Sequence, residues 1–180
     1  MDKKTLLIAI TLGALSALGP LATDMYLGAL PVMAGDFAAT DAQIQMSVMT
    51  FFAGFTLGQL FYGPISDKTG RKPVVYVALV IFALGSVGCL LAATTNQLLA
   101  FRFLQGIGGS IGMVISTAVI RDMFTGAAAT RLMSLVVMVL GISPILAPLI
   151  GSLILEVGSW RIIFAVLAAF SLLCAVLIST

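Results

Sequence analysis

The 180-residue sequence contains no histidine, and only 9% of its residues are charged. Without histidine, the chain lacks the side chain that most often serves as general base or metal ligand, and no Ser-His-Asp triad can be built. The scarcity of charge excludes an ordinary soluble domain, in which about a quarter of the residues are charged. We therefore expect no enzyme, no metal site and no nucleic-acid partner.

Cysteine is also scarce, and both copies, Cys89 and Cys174, lie inside apolar runs. They are expected to be buried thiols, so no disulfide framework is implied. Apolar residues make up 61% of the chain, which is more than polar side chains could cover, so a lipid bilayer is the expected solvent. At about 20 residues per span, the length allows about six membrane helices.

Uncharged runs bounded by glycine, proline and polar residues locate these helices. None of the runs alternates as a barrel strand does, and a helix satisfies its backbone polar groups within one segment. The six predicted spans cover residues 5–30, 43–63, 74–93, 97–120, 132–155 and 161–179. The expected fold class is an all-α membrane protein with one domain, a bundle of six transmembrane helices over residues 1–180.

The basic residues predict the orientation of this bundle. If the spans alternate in direction, seven of the nine lysines and arginines fall on one side. These seven are Lys3, Lys4, Lys68, Arg71, Lys72, Arg121 and Arg131. The opposite side carries mainly acids, with Arg161 as its basic residue. By the positive-inside rule, we expect both termini in the cytoplasm.

One acid, Asp24, lies inside the first predicted span, in the stretch GPLATDMYLGALP. A carboxylate at bilayer depth costs about 2.5–3.5 kcal/mol on insertion scales. Burial would also favour its protonated form. Two interpretations stay open: a proton or cation site that faces a cavity, or an acid near the outer interface that water reaches.

Arg102 interrupts the fourth predicted span, and Gln105 lies one turn further along on the same face. An isolated arginine inside a membrane needs a carboxylate, water or carbonyl partner. Closely spaced small residues follow, which let helices approach one another. They are Gly106, Gly108, Gly109 and Gly112. The alternatives are a coupling site, or a packing helix whose arginine reaches the outer surface.

The fifth predicted span carries Gly141, Pro144, Pro148 and Gly151. Each proline removes a backbone donor and clashes with the carbonyl four residues back. A helix weakened at two places on one face lines a cavity or pivots against a neighbour, or else it holds a static kink.

In the second span, Phe55, Gln59 and Tyr62 follow helical spacing. An amide among aromatic side chains suits the wall of a cavity for lipophilic molecules, and Tyr26 of the first span is predicted to join it. The alternative is that this stripe belongs to the core of the bundle.

The densest cluster of charge lies at residues 63–73, GPISDKTGRKP. Its prolines and glycines predict a tight loop between the second and third spans. From charge alone, this loop sets the topology. Its spacing also resembles the loop signature between helices 2 and 3 of the major facilitator superfamily, with Lys68 where that pattern usually has arginine. The resemblance implies a gating loop formed by Gly63, Asp67, Lys68, Gly70, Arg71 and Lys72.

Three further stretches resemble one branch of that superfamily. Residues 23–27 and 29–31 are similar to helix 1 of bicyclomycin-resistance-type drug:proton antiporters, although Gly28 replaces a proline common there. Arg102, Gln105 and the glycines that follow resemble the helix 4 motif, whose arginine is implicated in proton coupling.

The third stretch, Gly141 to Gly151, resembles the antiporter motif of helix 5. Ala147 and Ser152 stand in for glycines of that motif.

Together, these resemblances imply the N-terminal bundle of a major facilitator in a bacterial inner membrane, built as an inverted three-plus-three repeat. They imply exchange of protons for lipophilic small molecules, cations among them, with Asp24, Arg102 and Gln105 coupling the two. The proton gradient would supply the energy, without a cofactor. The expected partner is a second six-helix half or a second copy of the chain.

Two alternatives remain open at this point. One is a proton-coupled importer on the same fold. The other is a half-bundle that does not transport and acts as an assembly or regulatory partner.

Overall fold

The computed structural model describes residues 3–179, which form a bundle of eight helices. The helices are α1 (Lys3–Leu27), α2 (Leu30–Asp36), α3 (Asp41–Thr69), α4 (Arg71–Leu91), α5 (Thr95–Gly109), α6 (Ile111–Met123), α7 (Gly126–Val157) and α8 (Arg161–Ser179). Within these residues the chain contains no strand. The predicted all-α class is confirmed.

Six stretches among the described residues are long and apolar enough to cross a membrane. The fourth, Thr95–Met123, combines α5 and α6, which meet at Ser110. The short α2 follows α1 after a turn and is not a span of its own. The number of predicted spans is therefore confirmed, and the chain is a multi-pass membrane protein.

The helix contacts follow a symmetric pattern. The main packing pairs are α3 with α5, α4 with α5, α1 with α7, and α4 with α8. We match α1, α3 and α4 in order with α5–α6, α7 and α8. The α1–α7 pair then maps onto the α5–α3 pair, the α4–α8 pair maps onto itself, and the α4–α5 pair maps onto the less extensive α8–α1 contact. This exchange is the one expected of an inverted three-plus-three repeat.

Two of the helices begin with hydrogen bonds that the sequence encodes. The Thr40 hydroxyl accepts the Gln43 N–H, and the Gln43 side chain accepts the Thr40 N–H, which together form a capping box at the start of α3. The Thr94 hydroxyl accepts the Gln97 N–H at 3.3 Å and caps α5.

The predicted loop at residues 63–73 is wrong in its extent. The helix α3 continues through Pro64 to Thr69, and α4 begins at Arg71, so Gly70 alone separates the two helices. Gly70 has φ +92°, a conformation that favours glycine. One proline does not end this helix, because it removes a single backbone donor from a helix of 29 residues.

The bounds of other spans also differ from the prediction, and in α1 and α7 the difference changes where charged residues lie. The first span ends at Leu27 instead of residue 30, which places Asp24 in its last turn. The helix α7 begins at Gly126 and remains one helix across both of its prolines, so Arg131 lies inside it.

The glycines of α5 and α6 allow close helix crossings. A methyl group on Gly106 would overlap the Phe51 carbonyl oxygen of α3, and one on Gly112 would overlap the Leu15 carbonyl oxygen of α1. On α7, a methyl group on Gly151 would overlap the Met25 carbonyl oxygen of α1. In each case the obstacle is backbone, which cannot rotate away. The predicted packing role of the glycines that follow Arg102 is confirmed.

We expect Gly106→Ala to destabilise the bundle by about 1–3 kcal/mol, because the added methyl group forces α3 and α5 apart. The matched control is Gly141→Ala on α7, where nothing beyond the local backbone of its own helix lies within 4 Å of the added carbon. That control should be neutral or stabilise by about 0.5–1 kcal/mol, since alanine favours a helix interior. Thermal unfolding in detergent measures both variants, and equal losses would contradict the close-crossing explanation.

Candidate functional site

A buried arginine lies at the centre of the bundle. Arg102 is 0% exposed, so the interpretation in which it reaches the outer surface is wrong. It donates hydrogen bonds to the Ala22 carbonyl oxygen at 3.0 Å and to Gln105 Oε1 at 2.6 Å. Gln105 Nε2 in turn donates to Ser86 Oγ of α4 at 2.8 Å. These hydrogen bonds connect α5 to α1 and α4, and they bring Arg102 and Gln105 together as predicted.

Aromatic rings take the place of a counter-ion for this arginine. Arg102 Cζ lies 4.4 Å from the ring centroid of Tyr26 and 4.4 Å from that of Phe51. Its Nε and Nη2 atoms have no hydrogen-bond partner among the described residues. A desolvated cation–π contact is worth about 2 kcal/mol or more, which offsets only part of the cost of burying a guanidinium. A cation this costly to bury is a candidate functional residue.

Asp24 lies apart from this cluster. Its side chain is half-buried, and Oδ1 accepts a hydrogen bond from Thr23 Oγ1 at 3.1 Å. Ala22 and Tyr26 contact Arg102, and Asp24 is two residues from each, so it points to the opposite side of α1. Within residues 3–179, Asp24 forms no ion pair with Arg102. The structure therefore does not bring these two predicted coupling residues together.

A groove of about 1400 Å³ opens between α3, α6 and α7 at the end of the bundle where α4 begins. Three methionines contribute to its wall: Met113, Met133 and Met138. Gln59 is the amide that was predicted to face a cavity, and it lies on this wall with the charged residues Asp67, Arg71 and Arg121. The groove thus combines a flexible apolar surface with charge at one end.

The prediction that Tyr26 and Tyr62 line the cavity is wrong. Tyr26 is fully buried, and its hydroxyl lies 2.5 Å from Ser47 Oγ. Tyr62 is 7% exposed, because it continues the buried row of α3 that includes Phe51. Phe55 is half-buried and packs against Phe51, with ring centroids 5.9 Å apart. The predicted stripe therefore does not lie on one face of α3, because Tyr62 is buried whereas Gln59 lies on the wall of the groove.

A charge cluster borders the groove, and Arg71 is at its centre. Arg71 Nη1 pairs with Asp67 Oδ1 at 2.7 Å and donates to Ser66 Oγ at 2.6 Å. Its Nε and Nη2 both donate to Asp122 Oδ2, at 3.2 and 2.8 Å. The arginine therefore joins the end of α3 and the start of α4 to the end of α6. Of the other predicted gating residues, Lys68 and Lys72 are exposed.

Asp122 was not among the predicted site residues. The sequence signal that could have found it is an acid at the end of the fourth predicted span, on the same side as residues 63–73 if the spans alternate.

The four predicted pivot residues of α7 divide between two faces. Gly141, Pro144 and Pro148 are exposed, whereas Gly151 is buried at the crossing with Met25 of α1. The prolines thus weaken the backbone on the open side of a helix whose other side is packed against α1.

A second polar cluster, also not predicted, lies at the opposite end of the bundle. Trp160 Nε1 donates to Asp36 Oδ2 at 2.7 Å, and Arg161 Nη1 lies 3.7 Å from the same oxygen. Arg161 Nη2 donates to the Ala92 carbonyl oxygen at 3.1 Å, and its Cζ lies 4.2 Å from the Trp160 ring centroid. This cluster ties α2 and the end of α4 to the start of α8.

Comparison with known proteins assigns the family. The sequence model of the Major Facilitator Superfamily matches residues 5–180. The chain belongs to the major facilitator superfamily. The superfamily fold expected from residues 63–73 is therefore confirmed.

Several curated members of the superfamily are similar to the chain along most of its length. It is 39% identical to the uncharacterized MFS-type transporter YdgK of Bacillus subtilis over 98% of the chain. It is 35% identical to the bicyclomycin resistance protein homolog of Haemophilus influenzae, also over 98% of the chain, and 36% identical to the multidrug resistance protein MdtL of Escherichia coli over 88%. The chain spans only 44%, 44% and 41% of these relatives, respectively.

Solved structures of the superfamily share the fold. The proton:xylose symporter XylE superimposes with a TM-score of 0.86 at 18% identity, covering 98% of this chain and 44% of that one. A D-xylose-proton symporter superimposes with a TM-score of 0.84 at 20% identity, covering 100% of this chain and 48% of that one. At such low identity, the likeness concerns architecture alone.

Proposed function

We propose that this chain is one half of a proton-coupled exporter of lipophilic small molecules, or one protomer of a pair that forms the complete exporter. The observation that carries this proposal is similarity along most of the chain to relatives named for bicyclomycin and multidrug resistance. Each relative is about twice as long as the matched region, which is consistent with a second half in those proteins. A C₂ pair with its axis along the membrane normal would provide an equivalent second wall.

The groove would form this half's share of the substrate path. Methionine side chains are flexible and polarisable, so Met113, Met133 and Met138 can adapt to molecules of different shape. Promiscuous binding surfaces commonly use such side chains. This supports lipophilic substrates as a class, without a single preferred molecule.

The charge cluster around Arg71 would act as the latch of the inner gate. It joins three helices at the groove's charged end, so it can hold one arrangement of α3, α4 and α6 and release another. The cations of this end favour the cytoplasmic side, which would place both termini in the cytoplasm of a bacterial inner membrane.

Proton coupling would use Asp24 and the Arg102 cluster as two separate elements. Asp24 lies on the less buried side of α1, where a proton or a cation could reach it. Arg102 lies in the interior, where its packing holds α1, α4 and α5 together. We propose that protonation of Asp24 acts on this packing through α1, with the proton gradient as the energy source.

The proposal is tested with proteoliposomes that hold only this chain, under an imposed proton gradient. Drug exchange for protons, together with a crosslinked dimer in the membrane, would support the paired form. Exchange that appears only when a second six-helix half is added would support the half-transporter form. Substrate moving in the same direction as the protons would overturn export in favour of import.

Asp24→Asn should abolish the pH dependence of cationic drug binding and weaken cations more than neutral drugs. The amide mimics the protonated acid, so it removes both the titrating group and the negative charge that pairs with a cation. The measurement is binding of one cationic and one neutral compound across pH. If binding of both compounds across pH is unchanged in the variant, Asp24 takes no part in coupling and is an acid at the membrane interface.

A further inference from the structure

A second cavity, separate from the groove, opens at the same end of the bundle between α1, α4, α6 and α8. Its volume is about 380 Å³, which is within the range of ligand sites. Its mouth is formed by half-buried apolar side chains, including Leu7 and Ile8 of α1 and Ile178 of α8. Lys72 and Arg71 of α4 also border it, as does Asp122 of α6, whose charge is offset by its ion pair with Arg71. We propose that this crevice binds one anionic phospholipid, with its phosphate at Lys72 and an acyl chain between the helices.

The interior of the crevice is apolar and extends into the bundle. Leu12, Leu15, Val75 and Ile115, which line it more deeply, are all buried. From Leu7 to Leu15 the crevice follows α1 for about 12 Å, at 1.5 Å per residue. This depth suits part of an acyl chain and offers few partners for a polar ligand.

The charges at the mouth favour an anion. The Arg71 guanidinium is already paired with Asp67 and Asp122. Lys72 is exposed and joins none of the ion pairs formed within residues 3–179, so its charge is available. Lys3 is also exposed and precedes Leu7 by one turn of α1. Lys72 at the rim and Lys3 near it could therefore pair with the phosphate of a lipid whose acyl chain lies in the apolar interior.

A membrane lipid fits this site better than a soluble anion does. Soluble phosphate would meet only the rim cations and gain nothing from the apolar interior. Basic pockets between transmembrane helices at the cytoplasmic surface bind lipid headgroups in this way. Because Arg71 borders both the crevice and the groove, a bound lipid would also contact the proposed latch.

The test uses native mass spectrometry of the full chain in mild detergent, with phosphatidylglycerol and phosphatidylcholine of identical acyl chains. We expect phosphatidylglycerol to be retained preferentially, and Lys72→Gln to lower its retention about fivefold, the effect of one basic residue beside an anionic headgroup. Lys68→Gln, which alters an exposed cation outside the crevice, is the matched control and should leave the retention of phosphatidylglycerol unchanged. Inorganic phosphate should not displace the lipid.

A second pair of variants tests the acyl-chain part of the site. Ile8→Trp would fill the mouth and should also lower retention, whereas Ile10→Trp, on the exposed side of α1, should not. Equal retention of the two lipids, or equal losses in Lys72→Gln and Lys68→Gln, would overturn the site. Normal retention in Ile8→Trp would overturn insertion of the acyl chain.

Discussion

Arg102→Met is expected to abolish proton-driven drug exchange while the bundle still folds. Methionine has a similar length and fills the space between Tyr26 and Phe51, but it carries no charge and cannot hold the Ala22 carbonyl or Gln105. If the buried cation serves coupling, the variant should bind drug and fail to respond to the proton gradient. Transport in proteoliposomes with and without the gradient measures this directly.

Although transport should be lost, the free energy of unfolding should not fall when the buried arginine is replaced in a way that leaves no polar partner unpaired. Replacing a buried ionic group by apolar residues of similar volume is often neutral or stabilising by about 1–4 kcal/mol. The single variant leaves Gln105 Oε1 without its donor, which costs about 1–3 kcal/mol, so the cleaner comparison is Arg102→Met with Gln105→Leu. Ser86 Oγ then still donates to the Phe82 carbonyl oxygen at 2.8 Å.

Thermal unfolding in detergent tests this expectation, with Arg102→Lys as the control that keeps the charge and loses the planar stacking. A double variant that is much less stable than the wild type would show that the arginine is mainly structural. Normal coupling in Arg102→Met would remove the arginine from the proton mechanism.

The fold was predictable because its strongest signals are local. Uncharged runs of sufficient length define the spans, and the Arg102–Gln105 contact follows from helical spacing. The glycines after Arg102 predicted close crossings, since small residues at helical spacing leave room for a neighbouring backbone.

The site was less predictable because it depends on contacts between distant segments. Tyr26 lies on a helix that is apolar on most sides, so only its neighbours decide that it packs on Arg102 instead of lining a cavity. The pairing of Asp122 with Arg71 joins residues 51 positions apart, and that of Asp36 with Trp160 joins residues 124 apart. Hydrophobic patterning carries no information about such pairs.

Arg71→Ala and Asp122→Ala should each reduce transport by a few fold, and the double variant should be no worse than Arg71→Ala alone. Either change removes the contact between the start of α4 and the end of α6, and Arg71→Ala also removes the pair with Asp67, so losing Asp122 in addition should cost nothing more. Stability should hardly change, because exposed ion pairs contribute about 0.2–1 kcal/mol and Asp122 is 45% exposed. Transport is the more sensitive readout, since a contact made in one conformation alone shifts the balance between conformations by its own free energy, here about 0.2–1 kcal/mol or about 1.4–5-fold.

The measurement is a double-mutant cycle on transport rate, with thermal unfolding run in parallel. Lys68→Gln is the matched control, because Lys68 is exposed next to Asp67 and joins none of the ion pairs within residues 3–179. Asp67→Asn should also reduce transport, since Asp67 binds the same guanidinium at 2.7 Å. Additive losses in the Arg71→Ala/Asp122→Ala double variant would mean that the two residues act independently. Normal transport in Arg71→Ala, Asp122→Ala and Asp67→Asn would mean that residues 63–73 only set the topology.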